Sequence, residues 1–232
     1  MVLEAQNLEL INLINQRDIS QIDRMLKNWP KKDSSMDDFT DEKGYTALHL
    51  ALTQSLHEIA WILINKGWNI TQQNLDQKIP LHYAAARGLL DIVKYFHNQN
   101  VKLDAKTLDG LTPLHLAAYE NQAEVVKYFL QSGININILE SNKLTPLHYA
   151  AYNGHPEMIR LLINLKADAN LQDNKGNTPI FYAIMNNHVD ATQVFLDFNV
   201  DLEKRNADQK SIKEIIQELD NKEMLKMIKI RH

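Results

Sequence analysis

Histidine is the residue in this chain best suited to chemistry, and four of its nine, His49, His82, His115 and His148, follow one another at intervals of 33 residues. Clustered imidazoles would suggest a metal centre or acid–base catalysis. The spacing argues against both. If each interval is one structural layer, successive rings stand roughly 10 Å apart, the separation of packed helices. One zinc ion, which binds nitrogen at about 2 Å, cannot reach two of them. The role that fits is a structural hydrogen bond from a ring nitrogen to the turn that holds it or to the preceding loop, tying one layer to the next. His57, His155 and His188 fall near the turns between paired helices and His97 late in a helix, where edge packing accounts for them. Elsewhere there is no phosphate-binding glycine loop, no H-E-x-x-H and no non-repeated stretch large enough for a catalytic domain, so neither an enzyme nor a cofactor is expected.

What must position the histidines is a repeated unit. Thr46, Ile79, Thr112, Thr145, Thr178 and Ser211 recur every 33 residues, in the strings GYTALHLAL, QKIPLHYAAARG, GLTPLHLAAYEN, KLTPLHYAAYNG, GNTPIFYAIMNN and a worn QKSIKEIIQE. A strict period of this length signals a stack of small units without a single central core. Within one unit, Thr112-Pro113 opens a short helix, with the hydroxyl as cap and proline tolerated in the first turn. Leu114, Ala117 and Ala118 give it a narrow apolar side. A second helix over about Glu124 to Gln131 sets Val125, Val126, Phe129 and Leu130 at helical spacing and ends at Gly133, after which Ile134 to Asn142 forms a projecting hairpin-like loop. The terminal glycine is Gly67 or Gly133 in two copies and Asn100 or Asn199 in two more. In the fourth copy it is Lys166, where the left-handed backbone costs about 1 kcal/mol and a less regular turn is expected. Phe181 replaces histidine in the fifth copy.

A net charge of −4 offers no positive field for a phosphate backbone, so nucleic acid is not an expected partner. With no cysteine there is no disulfide framework or thiolate chemistry, which suits a reducing cytoplasm. Apolar runs are too short to span a bilayer, so no membrane insertion is expected, and residues 1 to 20 lack the pattern of a signal peptide.

The T-P-L-H-x-A-A turn and first helix, the second helix ending in L-L and the G-x-x-x-N loop at a 33-residue period resemble ankyrin repeats, best in LTPLHLAAYENQAEVVKYFLQSGININ and LTPLHYAAYNGHPEMIRLLINLKADAN. The resemblance implies an all-α repeat solenoid, a stack of helix-turn-helix units joined by β-hairpin-like loops. It implies protein binding on the side made of hairpin tips and first helices, and no intrinsic catalysis. It divides the chain into capping helices with an inserted loop over residues 1–40, five repeats over 41–207 and a degenerate cap over 208–232. At the front, Leu8, Leu10, Ile11, Leu13 and Ile14, then Ile19, Ile22, Met25 and Leu26, outline two short amphipathic helices. Four residues are inserted between Asn28 and Asp41, among them or beside them Trp29, Pro30, Met36 and Phe39. At the rear, Ile212, Ile215, Ile216 and Leu219 precede Leu225, Ile228 and Ile230.

Positions the stack does not consume are the candidates for binding. Those after the alanine pair supply Arg87, Tyr119, Glu120, Tyr152, Asn153 and Met185. Those expected to be exposed near the hairpin tips supply Tyr45, Leu108, Leu111 and Leu144. Two readings of the apolar members compete: a hot spot of aromatic anchors ringed by Arg87, Glu120 and Asn153, or packing of leucines on neighbouring hairpins with tyrosines shielding alanines. Trp61 stands where other second helices are polar, and the reading favoured here has Trp29 and Phe39 covering it. Asn137 and Asn170 match a loop asparagine that is hydroxylated in some ankyrin proteins; a hydrogen bond to the turn is the preferred role. The function expected is that of a non-enzymatic adaptor, scaffold or inhibitor, monomeric alone, binding a protein partner whose identity the residues do not encode. A bacterial effector delivered into a host cytosol, with a transport signal over Met224 to His232, and a self-associating structural unit are the alternatives.

Overall fold

A computed structural model describes residues 2–29 and 39–229. Internal contacts cluster into two compact units that divide in sequence between Pro113 and Leu114, and each is taken by itself. The first contains α1 (Val2–Gln16), α2 (Ile19–Lys27), α3 (Ala47–Thr53), α4 (His57–Asn65), α5 (Pro80–Ala86) and α6 (Leu90–Asn98). α7 (Pro113–Tyr119) begins at the division, and the second unit continues with α8 (Ala123–Gln131), α9 (Pro146–Tyr152), α10 (Pro156–Asn164), α11 (Pro179–Met185), α12 (Val189–Asp197), α13 (Ile212–Glu218) and α14 (Lys222–Lys229). First helices pack on first helices, α1 on α3 on α5 and α9 on α11 on α13. Second helices follow suit, α2 on α4 and α10 on α12 on α14. The result is the all-helical repeat stack expected.

The first helices α3, α5, α7, α9, α11 and α13 are only seven residues long, set between a start at the Thr46, Ile79, Thr112, Thr145, Thr178 or Ser211 position and a left-handed exit. Proline fills the first turn of α5, α9 and α11. Ala84, Ala85, Ala117, Ala118, Ala150 and Ala151 are fully buried, and their lack of bulk lets neighbouring helices approach. Between the paired helices the chain turns through a left-handed residue, Ser55, Gly88, Asn121, Gly154, Asn187 or Asp220. At the end of the second helix Lys166 adopts φ 73°. The expected irregularity there is absent. The N–H groups of Lys166 and Ala167 reach Ile163 O and Leu162 O, both at 2.9 Å, as those of Gly133 and Ile134 reach Leu130 O and Phe129 O. Two backbone hydrogen bonds hold the lysine in the strained conformation.

Hairpin tips hold a second periodic device that the sequence reading passed over. Asp41, Asn74, Thr107, Glu140, Asp173 and Asn206 each accept, through a side-chain oxygen, the N–H four residues on, at 2.8–3.1 Å. The next residue donates its own N–H to the preceding tip: Leu75 to Lys43 O, Leu108 to Asp76 O, Asn174 to Asn142 O and Ala207 to Lys175 O, at 2.8–3.1 Å. Such close backbone approach excludes a side chain at Gly44 and Gly176, where a Cβ would stand 2.9 Å from Leu75 N and 2.8 Å from Ala207 N. The loops remain hairpins without extended strands among the described residues, with isolated bridges at Thr40–Thr46 and Arg205–Ser211.

The ends differ from expectation in detail. α1 runs to 15 residues, twice the length of a repeat's first helix. Leu10, Ile11, Leu13, Ile14, Ile22 and Leu26 are buried, whereas Leu8 and Ile19 are exposed. Arg17 and Ser55 occupy the same left-handed turn 38 residues apart, so five residues are inserted and not four. Trp29 is buried against Trp68, ring centroids 5.5 Å apart, and does not serve as the cover of Trp61. Trp61 instead packs edge-on to Tyr95 at 5.2 Å and donates to Asp91 Oδ2 at 2.9 Å, an oxygen that also lies 2.7 Å from His57 Nε2. Pro30 and Met36 lie outside the described residues. On α14 the buried side chains are Met224 and Ile228, with Leu225 half-buried; Ile230 lies outside the described residues, as does the end of the proposed signal over Met224 to His232.

Candidate functional site

The four histidines are fully engaged in scaffolding. His49 Nδ1 accepts the Thr46 N–H at 3.1 Å and lies 2.9 Å from Thr46 Oγ1; His148 repeats this with Thr145 at 3.0 and 2.8 Å. His82 accepts the Ile79 N–H at 3.1 Å, where no hydroxyl is available. Nε2 reaches forward: His49 to Lys78 O, His82 to Ala105 O, His115 to Ile138 O and Leu144 O, His148 to Asn177 O, all at 3.1–3.2 Å. The tie to a following loop replaces the expected tie to a preceding one. At His49, His82 and His148 the Nδ1 accepts a backbone N–H while Nε2 faces a carbonyl, which requires the proton on Nε2 alone, so these three rings are neutral and in one tautomer. Burial pushes His49, His82 and His148 down to about 4.

Two of the polar groove candidates are also consumed. Arg87 Nε donates to Thr53 O at 2.9 Å, and Asn153 Nδ2 donates to Tyr119 O at 2.8 Å. His155 and His188 do the same for Tyr119 O and Tyr152 O, at 2.8 and 2.9 Å. These donors satisfy the last carbonyls of the preceding first helix, which would otherwise lack partners. Arg87 and Asn153 therefore also serve as ties between repeats. Asn137 and Asn170 likewise accept the N–H of Asp168 and Asp201, each at 3.0 Å, one loop further along.

In the first unit, Leu75 and Leu108 project from adjacent tips, 70% and 66% exposed. Tyr45 and Leu111 are half-buried, contrary to the expected exposure. Tyr45 packs on Tyr83 at 5.6 Å and borders a hollow of about 510 Å³ of mixed lining, with Asn15, Glu42, Leu50 and Gln54. Tyr83 is held by Asn74, whose Nδ2 donates to its hydroxyl at 3.0 Å.

The second unit brings candidates together. Tyr119, Leu144 and Tyr152 converge with His148, Tyr149 and Tyr182 on an apolar cup of about 140 Å³. Tyr119 stacks on Tyr152 at 6.4 Å and 25°, Tyr149 stands edge-on to Tyr119 at 6.1 Å, and Tyr182 tilts against Tyr152 at 6.1 Å. Leu144 is half-buried as the floor, again not exposed as expected, while Tyr152 is 46% and Met185 39% exposed. Glu120, beside Tyr119, is exposed. Tyr149 and Tyr182 were missed by the sequence reading. Each follows the histidine position directly and precedes a groove position by three residues, the spacing that puts two side chains on one helical face. Tyr182 is fixed by its hydroxyl, which donates to Asp173; burial, then that carboxylate, raises its pKa.

Among the described residues no helix is long and apolar enough to cross a membrane. The family model for a single ankyrin repeat matches residues 43–75, and the model for ankyrin repeats in three copies matches residues 68–140 and 137–206. No curated protein matches the chain.

Proposed function

The chain belongs to the ankyrin-repeat family, whose members are generally modules for binding other proteins and typically non-enzymatic, and from that premise we propose that it is an adaptor, scaffold or inhibitor that holds a protein partner against the first-helix and tip side of the second unit. The observation that carries this reading is the convergence of Tyr119, Tyr149, Tyr152 and Tyr182 around Leu144. Rigid aromatic side chains lose little entropy on binding and dominate interface hot spots. The backbone of Tyr119 is pinned by Asn153 and His155, that of Tyr152 by His188, and the Tyr182 hydroxyl by Asp173, so these rings are arranged before any partner arrives. Glu120 and Met185 extend the surface, and Tyr45, Leu108 and Leu111 with Arg87 form a secondary face in the first unit. On this reading residues 41–207 bind, residues 1–40 and 208–232 cap, and the chain acts in the cytoplasm as a monomer.

Affinity capture with the wild type beside a Tyr119→Ala/Tyr152→Ala variant tests the assignment. A protein retained by the wild type alone is the expected result. Equal retention by both moves the site away from these tyrosines.

A further inference from the structure

Resting on that reading, the cup specifies the kind of residue it receives. Its wall is almost wholly carbon, and several polar heads of the residues that line it are spent elsewhere: His148 through both nitrogens and Tyr182 through its hydroxyl. An anionic or hydrogen-bonding group placed inside would leave water without gaining a partner there, and a cation would gain only its attraction to the ring faces, which is smaller than the cost of its desolvation. The size is equally restrictive. At about 140 Å³ the cup matches the cavity of roughly 150 Å³ that accepts one benzene when lined by apolar side chains. We infer that it takes one uncharged apolar side chain, of leucine, methionine or phenylalanine size, from a partner segment that also carries a basic residue. The basic residue answers Glu120, which is exposed next to Tyr119 and makes no ion pair among the described residues. Lys143, exposed beside Leu144, sits at the tip side, so the segment runs with its cation toward the end of α7 and away from the tip.

Toluene and tetramethylammonium, titrated separately against protein labelled in its tyrosine rings and followed by NMR, distinguish an apolar anchor from a cationic one. Toluene should shift Tyr119, Tyr149, Tyr152 and Tyr182 saturably, tetramethylammonium should leave them in place, and Leu144→Trp, which fills the cup, should weaken toluene about tenfold or more. Shifts from tetramethylammonium alone, or toluene shifts that survive Leu144→Trp in a folded protein, overturn the inference. Should Leu144→Trp fail to fold, Tyr152→Ala, at an exposed position, opens the cup and must weaken toluene in its place; unchanged toluene binding there also overturns it. A captured partner lost by Tyr119→Ala/Tyr152→Ala yet kept by folded Leu144→Trp would preserve the binding face and sink the cup.

Discussion

The fourth repeat (residues 140–172) and the fifth (residues 173–205) share a tyrosine on the groove side, Tyr149 and Tyr182, but differ in the residue just before it, His148 and Phe181. In the fourth, the imidazole joins Thr145 to Asn177 O and the threonine also caps the His148 N–H. In the fifth, Phe181 is equally buried but has nothing to offer, and Thr178 Oγ1 is left, with Asn177 Oδ1, as one of two buried polar side-chain atoms without a partner among the described residues. The sixth copy solves the same problem differently: Glu214 Oε2 accepts from the Ser211 N–H at 2.6 Å, and Ser211 Oγ caps the Glu214 N–H. The lesson is that the cap position and the face position beside it vary independently. The fifth repeat keeps its contribution to the cup, and its tip and helix-end ties, while giving up the histidine tie.

Acid should separate the two repeats most strongly. The folded values of His49, His82 and His148, about 4, lie below the ordinary 6.5, so the unfolded chain binds more protons between those limits. Stability from the neutral rings is complete above pH 6.5 and drains as pH falls toward 4, on the order of 3 kcal/mol per ring. Hydrogen exchange at pH 7 and pH 5 should therefore show a greater loss of protection in α9 than in α11; equal losses would contradict the contrast. Converting the fourth repeat into the fifth by His148→Phe should cost about 3 kcal/mol in urea denaturation, because Thr145 and Asn177 lose buried bonds together. The reverse change, Phe181→His, should gain about 1.5 kcal/mol at pH 7.5 and lose that gain below pH 5. A neutral or destabilising result would mean that Thr178 Oγ1 carries no penalty. Within the fourth repeat, Lys166→Gly should raise stability by about 1 kcal/mol by relieving the left-handed lysine, read as a higher Tm.

Much of this architecture is legible in the residues. The 33-residue period places every helix pair of the repeats, and the histidine spacing alone removes the metal reading. What stayed hidden has a physical pattern. The tip anchors were invisible because Asp41, Asn74, Thr107, Glu140, Asp173 and Asn206 share only an oxygen at the right reach, not a residue type. Tyr149 and Tyr182 were overlooked because candidates were drawn only from the positions after the alanine pair and from the tips, although the i, i+3 relation to Tyr152 and Met185 was available. The ties made by Arg87 and Asn153 were hidden because a sequence does not show the carbonyl at the end of the previous helix. Trp29 found Trp68, and Trp61 found Tyr95, because aromatic residues many positions apart compete for the same partners.

The ties between repeats also bear on how such a chain changes length. Those made by the tips, the buried histidines and the helix-end donors reach only the neighbouring copy and land on backbone, so their partners are defined by position and hardly by identity. Excision of residues 140–172 would put Asp173 where Glu140 stood and Asn177 O where Leu144 O now meets His115, with the same chemistry restored across the new junction. A cut of any other length would leave the tips and rings out of step. Duplication or loss of genetic material in whole 33-residue blocks is thus tolerated by the scaffold, and what it alters is how many faces are offered.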